Sequence, residues 1–274
     1  MASRSVTKGT RPGVDASKRL SKISSVPVWD AIDRQYDRMI KMKGGDKLSQ
    51  LDEARSALGK RLRSEKNPYL CLDDLFQIVE WKFGKGKPRH ALWKHLKSIQ
   101  ENDLKTLSME SFERAQKGDV RGAVEELSKL SGVGPATASA ILSIYNPDYF
   151  TFMDDEVIEA LYDDGKRGYT IKIYLEVNSK CQKIARDLNQ VDKTESTASW
   201  TCHRVGRALW TASQICATGG EDLTLMDDDD TGNTERLSLP GNTSKNSKRP
   251  RHQNTNSPEP NSFPINNGKT RRTK

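Results

Sequence analysis

The stretch Leu130-Ser-Gly-Val-Gly-Pro-Ala-Thr-Ala-Ser-Ala-Ile-Leu142 holds the residue types and spacing with the clearest chemical meaning in this 274-residue chain. Gly132 and Gly134 can adopt backbone conformations closed to other residues and can bring bare backbone against a ligand. Pro135 suits the first position of a helix, where its missing N–H costs nothing. The free amides of that first turn, around Ala136 and Thr137, would then face outward at the positive end of the helix dipole, with Val133 between the two glycines. This is anion chemistry built from backbone, able to hold phosphate whatever the base sequence. The small side chains of Ala136, Ala138 and Ala140 let two helices pack closely. A chance turn between two core helices is the alternative, and so is a binding module without catalysis.

A second candidate is Trp81-Lys-Phe-Gly-Lys-Gly-Lys-Pro-Arg89. Lys82, Lys85, Lys87 and Arg89 sit among glycines beside Trp81 and Phe83, a composition that can clamp phosphates and offer an aromatic to stack or wedge. A solvated loop between helices, with the aromatics in the core, is the competing reading. Cys71, Cys181, Cys202 and Cys216 are scattered, with no paired spacing of a zinc or iron–sulfur site. Cys202 and His203 are adjacent, but two donors do not close a tetrahedral site. Neither a metal nor another cofactor is expected, and the thiols read as buried and reduced.

The elements that must position these residues read as helices almost throughout. Trp29, Ile32, Tyr36, Met39 and Ile40 repeat on one helical face. Leu75, Ile78, Val79 and Trp81 follow a cap at Asp73 or Asp74. Ala91, Leu92, Leu96 and Ile99 follow Pro88, which suits a first turn. Val120, Val124, Leu127 and Leu130 form a stripe leading into the hairpin. Leu175, Cys181, Ile184, Ala185 and Leu188 predict a helix, although Ile171, Ile173 and Leu175 also alternate like a short strand. Trp200, Val205, Leu209 and Ala212 predict a last helix, started by Ser196 or Thr197. No βαβ alternation and no repeat occurs, so the expected class is all-α.

Composition sets the limits of that domain. Hydrophobic residues make up 34% of the chain and its mean hydropathy is −0.78, so part of it is expected outside any packed core. Residues 1–24 carry six Lys or Arg against one Asp, without apolar periodicity, and are expected to be a disordered basic tail. Residues 219–274 are expected to be a second tail: an acidic block at Asp227 to Asp230, then basic clusters at Lys248-Arg249-Pro250-Arg251 and Lys269 to Lys274. The folded domain is thus assigned to residues 25–218. No apolar run is long enough for a bilayer, and no apolar stretch follows the basic N-terminus as in a secretory signal. The net charge of +8 fits a polyanionic partner. The basic clusters resemble nuclear-import signals, giving a nuclear expectation with import machinery as a further partner.

Leu-x-Gly-Val-Gly-x-x-Thr-Ala resembles the hairpin signature of the helix-hairpin-helix DNA glycosylase superfamily, which includes endonuclease III and the mismatch adenine glycosylases. That family carries an Asp at the head of the helix after the hairpin. Here the segment is Phe150-Thr-Phe-Met-Asp154-Asp155-Glu156-Val157, and Asp154 lies 24 residues after Leu130, with Val157 in the aliphatic place. A one-residue shift selects Asp155 instead. The resemblance implies a base flipped from double-stranded DNA, with Asp154 or Asp155 stabilising the cationic sugar as the N-glycosidic bond breaks. Bifunctional members have a Lys where this chain has Ala136, so the resemblance implies a monofunctional hydrolase without a cluster; a monomer is expected. A capping role for the carboxylates is the structural alternative. Glu156, Ile158-Glu159, Asp163 and Asp164 depart from the family's pattern. A non-catalytic DNA- or chromatin-binding adaptor that keeps only the hairpin is therefore the second reading.

Overall fold

Helix α11 (Cys202–Ala217) lies in the core of the described residues, and eleven of its 16 residues are buried. Its N-cap is Thr201, whose hydroxyl accepts the amide of Arg204 at 3.1 Å. The computed structural model describes residues 12–162, 168–191 and 199–220. By contacts the chain divides into Met1–Gly232 and Asn233–Lys274, and the described residues fall in the first unit. Ser196, Thr197, Asp163, Asp164, the acidic block and both basic clusters lie outside the described residues, as do residues 1–11.

Eleven helices and no strand occur among the described residues, so the architecture is all-α. Helices α2 (Val26–Asp33) and α3 (Tyr36–Ser64) share the apolar face predicted for one helix, with a turn at residues 34–35 between them. Trp29, Ile32, Tyr36, Met39 and Ile40 are all buried. α2 is tied to α11 by charge as well as packing: Asp33 takes both Arg204 and Arg207, and Asp30 takes Arg204 at 2.7 Å. α3 bends at Gly44 and Gly45, the latter at φ +65°.

The first correction concerns the N-terminus. Residues expected to be a structureless tail form α1 (Pro12–Leu20), which packs along α11. Val14, Ala16, Ser17 and Leu20 are buried, and the Ser17 hydroxyl donates to the Leu209 carbonyl at 2.8 Å. Gly13 does not interrupt this helix but lets it approach α11, since a Cβ there would stand 2.6 Å from the Ser213 carbonyl oxygen. Three apolar residues, Val14, Ala16 and Leu20, are too sparse a signal to outweigh the basic, glycine-containing composition. The folded domain thus begins at least as early as residue 12.

The remaining helices are α4 (Leu72–Lys85), α5 (Leu92–Leu96), α6 (Glu101–Gln116), α7 (Val120–Leu127), α8 (Pro135–Tyr145), α9 (Asp155–Leu161) and α10 (Ile171–Val191). α4 starts one turn earlier than expected. Its N-cap is Cys71, and Asp74 lies at the third helical position, where its carboxylate accepts the Cys71 amide at 3.0 Å. α5 is only five residues long, and Pro88 stands in the loop ahead of it rather than in its first turn. α10 is helical from Ile171, so the strand reading of Ile171, Ile173 and Leu175 is set aside. Its buried face is Ile173, Tyr174, Val177, Asn178 and Cys181, and Leu175 lies off it. The four cysteines are free.

Candidate nucleic-acid interface

α7, the connection at residues 128–134 and α8 form the predicted hairpin, and its position is determined by its neighbours. Asp119 caps α7 by accepting the Gly122 amide at 2.8 Å, and the Ser111 hydroxyl of α6 donates to the Ala123 carbonyl at 2.8 Å. α8 is buried along its whole length. Arg55 of α3, itself buried, donates to the Ala140 carbonyl and the Ser143 hydroxyl, each at 2.8 Å, while its guanidinium lies 3.9 Å from the centre of the Trp81 ring. A helix held from below in this way can present only its N-terminal end to solvent.

At that end the residues singled out by sequence divide into two groups. Val133 is buried and its amide donates to the Leu130 carbonyl at 3.0 Å; Thr137 is buried and its amide donates to the Gly134 carbonyl at 2.9 Å. The Thr137 amide is therefore committed internally, which corrects the expectation that it faces a ligand. Gly134 is exposed, and among the described hydrogen bonds the amides of Gly132, Gly134 and Ala136 have no protein acceptor. Those of Gly134 and Ala136 are the unsatisfied donors of a helix start, and that of Gly132 belongs to the turn before it.

The two glycines serve different ends. Gly132 has φ +79°, and a Cβ there would meet the His95 Cβ at 2.9 Å, so the fold itself excludes a side chain. Gly134 has an ordinary extended backbone (φ −108°, ψ −177°), and a Cβ there would meet nothing within 4 Å. No internal contact requires glycine at 134. What its bareness leaves open is the approach from outside to the amides at the head of α8.

Asp154 lies elsewhere in character. It is the N-cap of α9, accepting the Asp155 amide at 2.9 Å through Oδ1. Its Oδ2 takes the Lys85 ammonium at 2.7 Å, and both side chains are almost wholly enclosed, 5% exposed for Lys85 and 6% for Asp154. Lys85 was expected among the phosphate-clamping cations. Instead its ammonium is 4.2 Å from the centre of the Trp210 ring and also faces Trp81, Phe152 and Tyr36. The aliphatic stem and the aromatic walls compensate part of the desolvation of the charge, and Asp154 compensates more.

The same pair borders a cavity lined by Tyr36, Phe152, His203 and Arg207 among others. Its volume is about 10 Å³, room for roughly one water and far below the ~300 Å³ of a small-ligand pocket. Within this region the His203 imidazole is pushed well below its ordinary range, first by burial and then by the charges of Arg55 and Arg207, so it is neutral at pH 7. Its Nδ1 is buried without a protein partner. Glu156, the second residue of α9, accepts Gln214 at 3.2 Å, and its carboxyl is pushed up to about 8 by burial and by the charge of Asp154. Glu156 and His203 carry no signal in sequence, because their environment is assembled from α4, α9 and α11.

The other residues of the basic loop are spread over a surface. Asp155 accepts the Tyr169 hydroxyl, and Arg89 lies over the Tyr169 ring at 4.7 Å. Lys82 is half-buried, and its ammonium is pushed below its ordinary range by burial and then by Arg89. Lys87 and Arg89 are exposed. Trp81 and Phe83 are core residues, Trp81 against Phe152 and Phe83 against Trp93, so neither is available as a wedge.

Compared with known proteins, the chain matches the model of a helix-hairpin-helix motif over residues 117–144, from the end of α6 through α8. No curated protein and no solved structure matches it. The matched model is that of the motif and covers no glycosylase domain. No described helix is long and apolar enough to cross a membrane. The chain thus carries a helix-hairpin-helix motif, an element that points to nucleic-acid binding.

Proposed function

We propose that this protein binds double-stranded DNA by its phosphate backbone, with the Gly134 and Ala136 amides at the head of α8 as the central contact. The observation that carries this reading is Gly134: exposed, sterically unconstrained, and adjacent to amides without an internal acceptor. Each charge-assisted bond of this kind contributes about 1.5–3 kcal/mol. Phosphate contacts position a protein without reading sequence.

Two finer readings stand behind this. Binding without base chemistry is favoured by the Lys85–Asp154 pair, which is enclosed beside a cavity too small for a nucleobase. Monofunctional base excision is favoured by the position of Asp154 at the head of α9, next to a protonated Glu156 and a neutral His203. That chemistry would require the enclosure to open so that a flipped base reaches the carboxylate. We take the binding module as the primary reading.

Titration of the full chain against a labelled duplex at several salt concentrations tests the proposal. Gly134→Glu places a carboxylate over the anion site at no steric cost, so affinity should fall at least ~10-fold with the melting temperature unchanged. Gly134→Ala should fold normally and bind more weakly than the native chain but more tightly than Gly134→Glu. Equal binding by Gly134→Glu would overturn the hairpin contact. Incubation with duplexes carrying alkylated, oxidised, deaminated or mismatched bases separates the finer readings: release lost in Asp154→Asn supports excision, and no release supports the binding module. We further assign the protein to the nucleus, on its basic clusters; a fluorescent fusion that stays outside the nucleus would remove that assignment.

A further inference from the structure

We infer that the DNA-contacting surface continues from the hairpin onto α5, with Lys94 and Lys97 as a second set of phosphate contacts; this rests on the hairpin reading above. Residues 81–100 contain six Lys or Arg and no Asp or Glu, a run bounded by Glu80 and Glu101. Lys85 is withdrawn into the core with Asp154, and Lys82 is half-buried. Lys87, Arg89, Lys94 and Lys97 are left on the surface.

α5 is held directly against the hairpin. The space where Gly132 would carry a Cβ is occupied by His95, and the Leu96 side chain lies 3.5 Å from the same point. Leu96 is fully buried beneath α5, and Trp93 is wedged edge-on between Phe76 (5.7 Å) and Phe83 (5.9 Å). Such anchoring fixes α5 beside residues 131–134. A phosphate at Gly134 therefore brings its strand neighbours towards α5. Lys94 and Lys97, three residues apart, share one side of the α5 turn.

The absence of any acidic residue over positions 81–100, next to the hairpin, separates this surface from an ordinary mixed-charge one. Several exposed cations on other helices have a carboxylate one turn away, as Arg61 with Glu65, Lys117 with Glu113, Arg121 with Glu125 and Lys183 with Asp187, but these helices carry acidic residues among their basic ones. Lys87, Lys94 and Lys97 make no ion pair among the described residues. Uncompensated cations on a rigid support next to free helix-start amides match a polyphosphate chain, whose bound counterions they release.

The test compares the native chain, Lys94→Gln/Lys97→Gln, Gly134→Glu and the control Lys183→Gln on one duplex across a salt series. The double variant should fold normally, bind several-fold more weakly at low salt, and lower the slope of log K against log salt by about one to two. The control should match the native slope. If the double variant also matches it while Gly134→Glu has lost binding, the α5 contact is refuted and the hairpin contact stands. If Gly134→Glu binds like the native chain, the hairpin reading fails, and a reduced slope in the double variant would then not restore it.

Discussion

Glu156 and Asp154 are two residues apart at the start of α9, and the fold gives them different surroundings. Asp154 has the Lys85 Nζ at 2.7 Å, whereas Glu156 faces Asp154 in a desolvated position and its pKa is pushed up to about 8. The linkage follows from the direction of the shift. The folded chain binds a proton at Glu156 that the unfolded chain releases near the ordinary 4.5. Its contribution to stability is therefore greatest below about 4.5 and is lost as pH rises through about 8. Glu156→Gln should flatten the melting temperature against pH across that window. Parallel curves for the two proteins would show that Glu156 titrates normally.

α4 and α9 are joined by the Lys85–Asp154 pair, at 69 residues' separation in the chain. Removing one partner of a buried pair leaves an uncompensated charge and costs about 3–5 kcal/mol. Lys85→Met should therefore destabilise strongly, and Lys85→Met/Asp154→Asn should recover part of the loss in a denaturant series. A double variant no more stable than Lys85→Met would show that packing around the aromatic walls, rather than the charge, dominates. The pair also explains why only part of the expected basic loop reaches the surface. Residues 86–91 connect α4 to α5 in solvent, whereas Lys85 is the last residue of α4, on the face that closes over α11.

For the whole molecule, α1 matters more than its sequence announces. It lies on the central helix α11 with Leu20 completely buried. Leu20→Ala should cost about 2–5 kcal/mol, as for a core leucine elsewhere, read as a lower melting temperature. A loss under ~0.5 kcal/mol would return residues 12–20 to the status of a dispensable tail.

Much of this protein was legible in its residues alone. The helical class follows from apolar periodicity, and the hairpin follows from Gly132, Gly134 and Pro135 between two apolar stripes, because those signals act within one or two turns of the chain. Asp154 at the head of a helix was legible for the same local reason. Local signals could not reveal that Lys85 leaves the basic loop to meet Asp154, that His95 fills the space at Gly132, or that α1 belongs to the core. Those depend on which helix faces which, and each is decided by the desolvation of a charge or by close approach between segments distant in sequence. The division is physical: backbone conformation and capping are written in neighbouring residues, whereas burial is a property of the assembled fold.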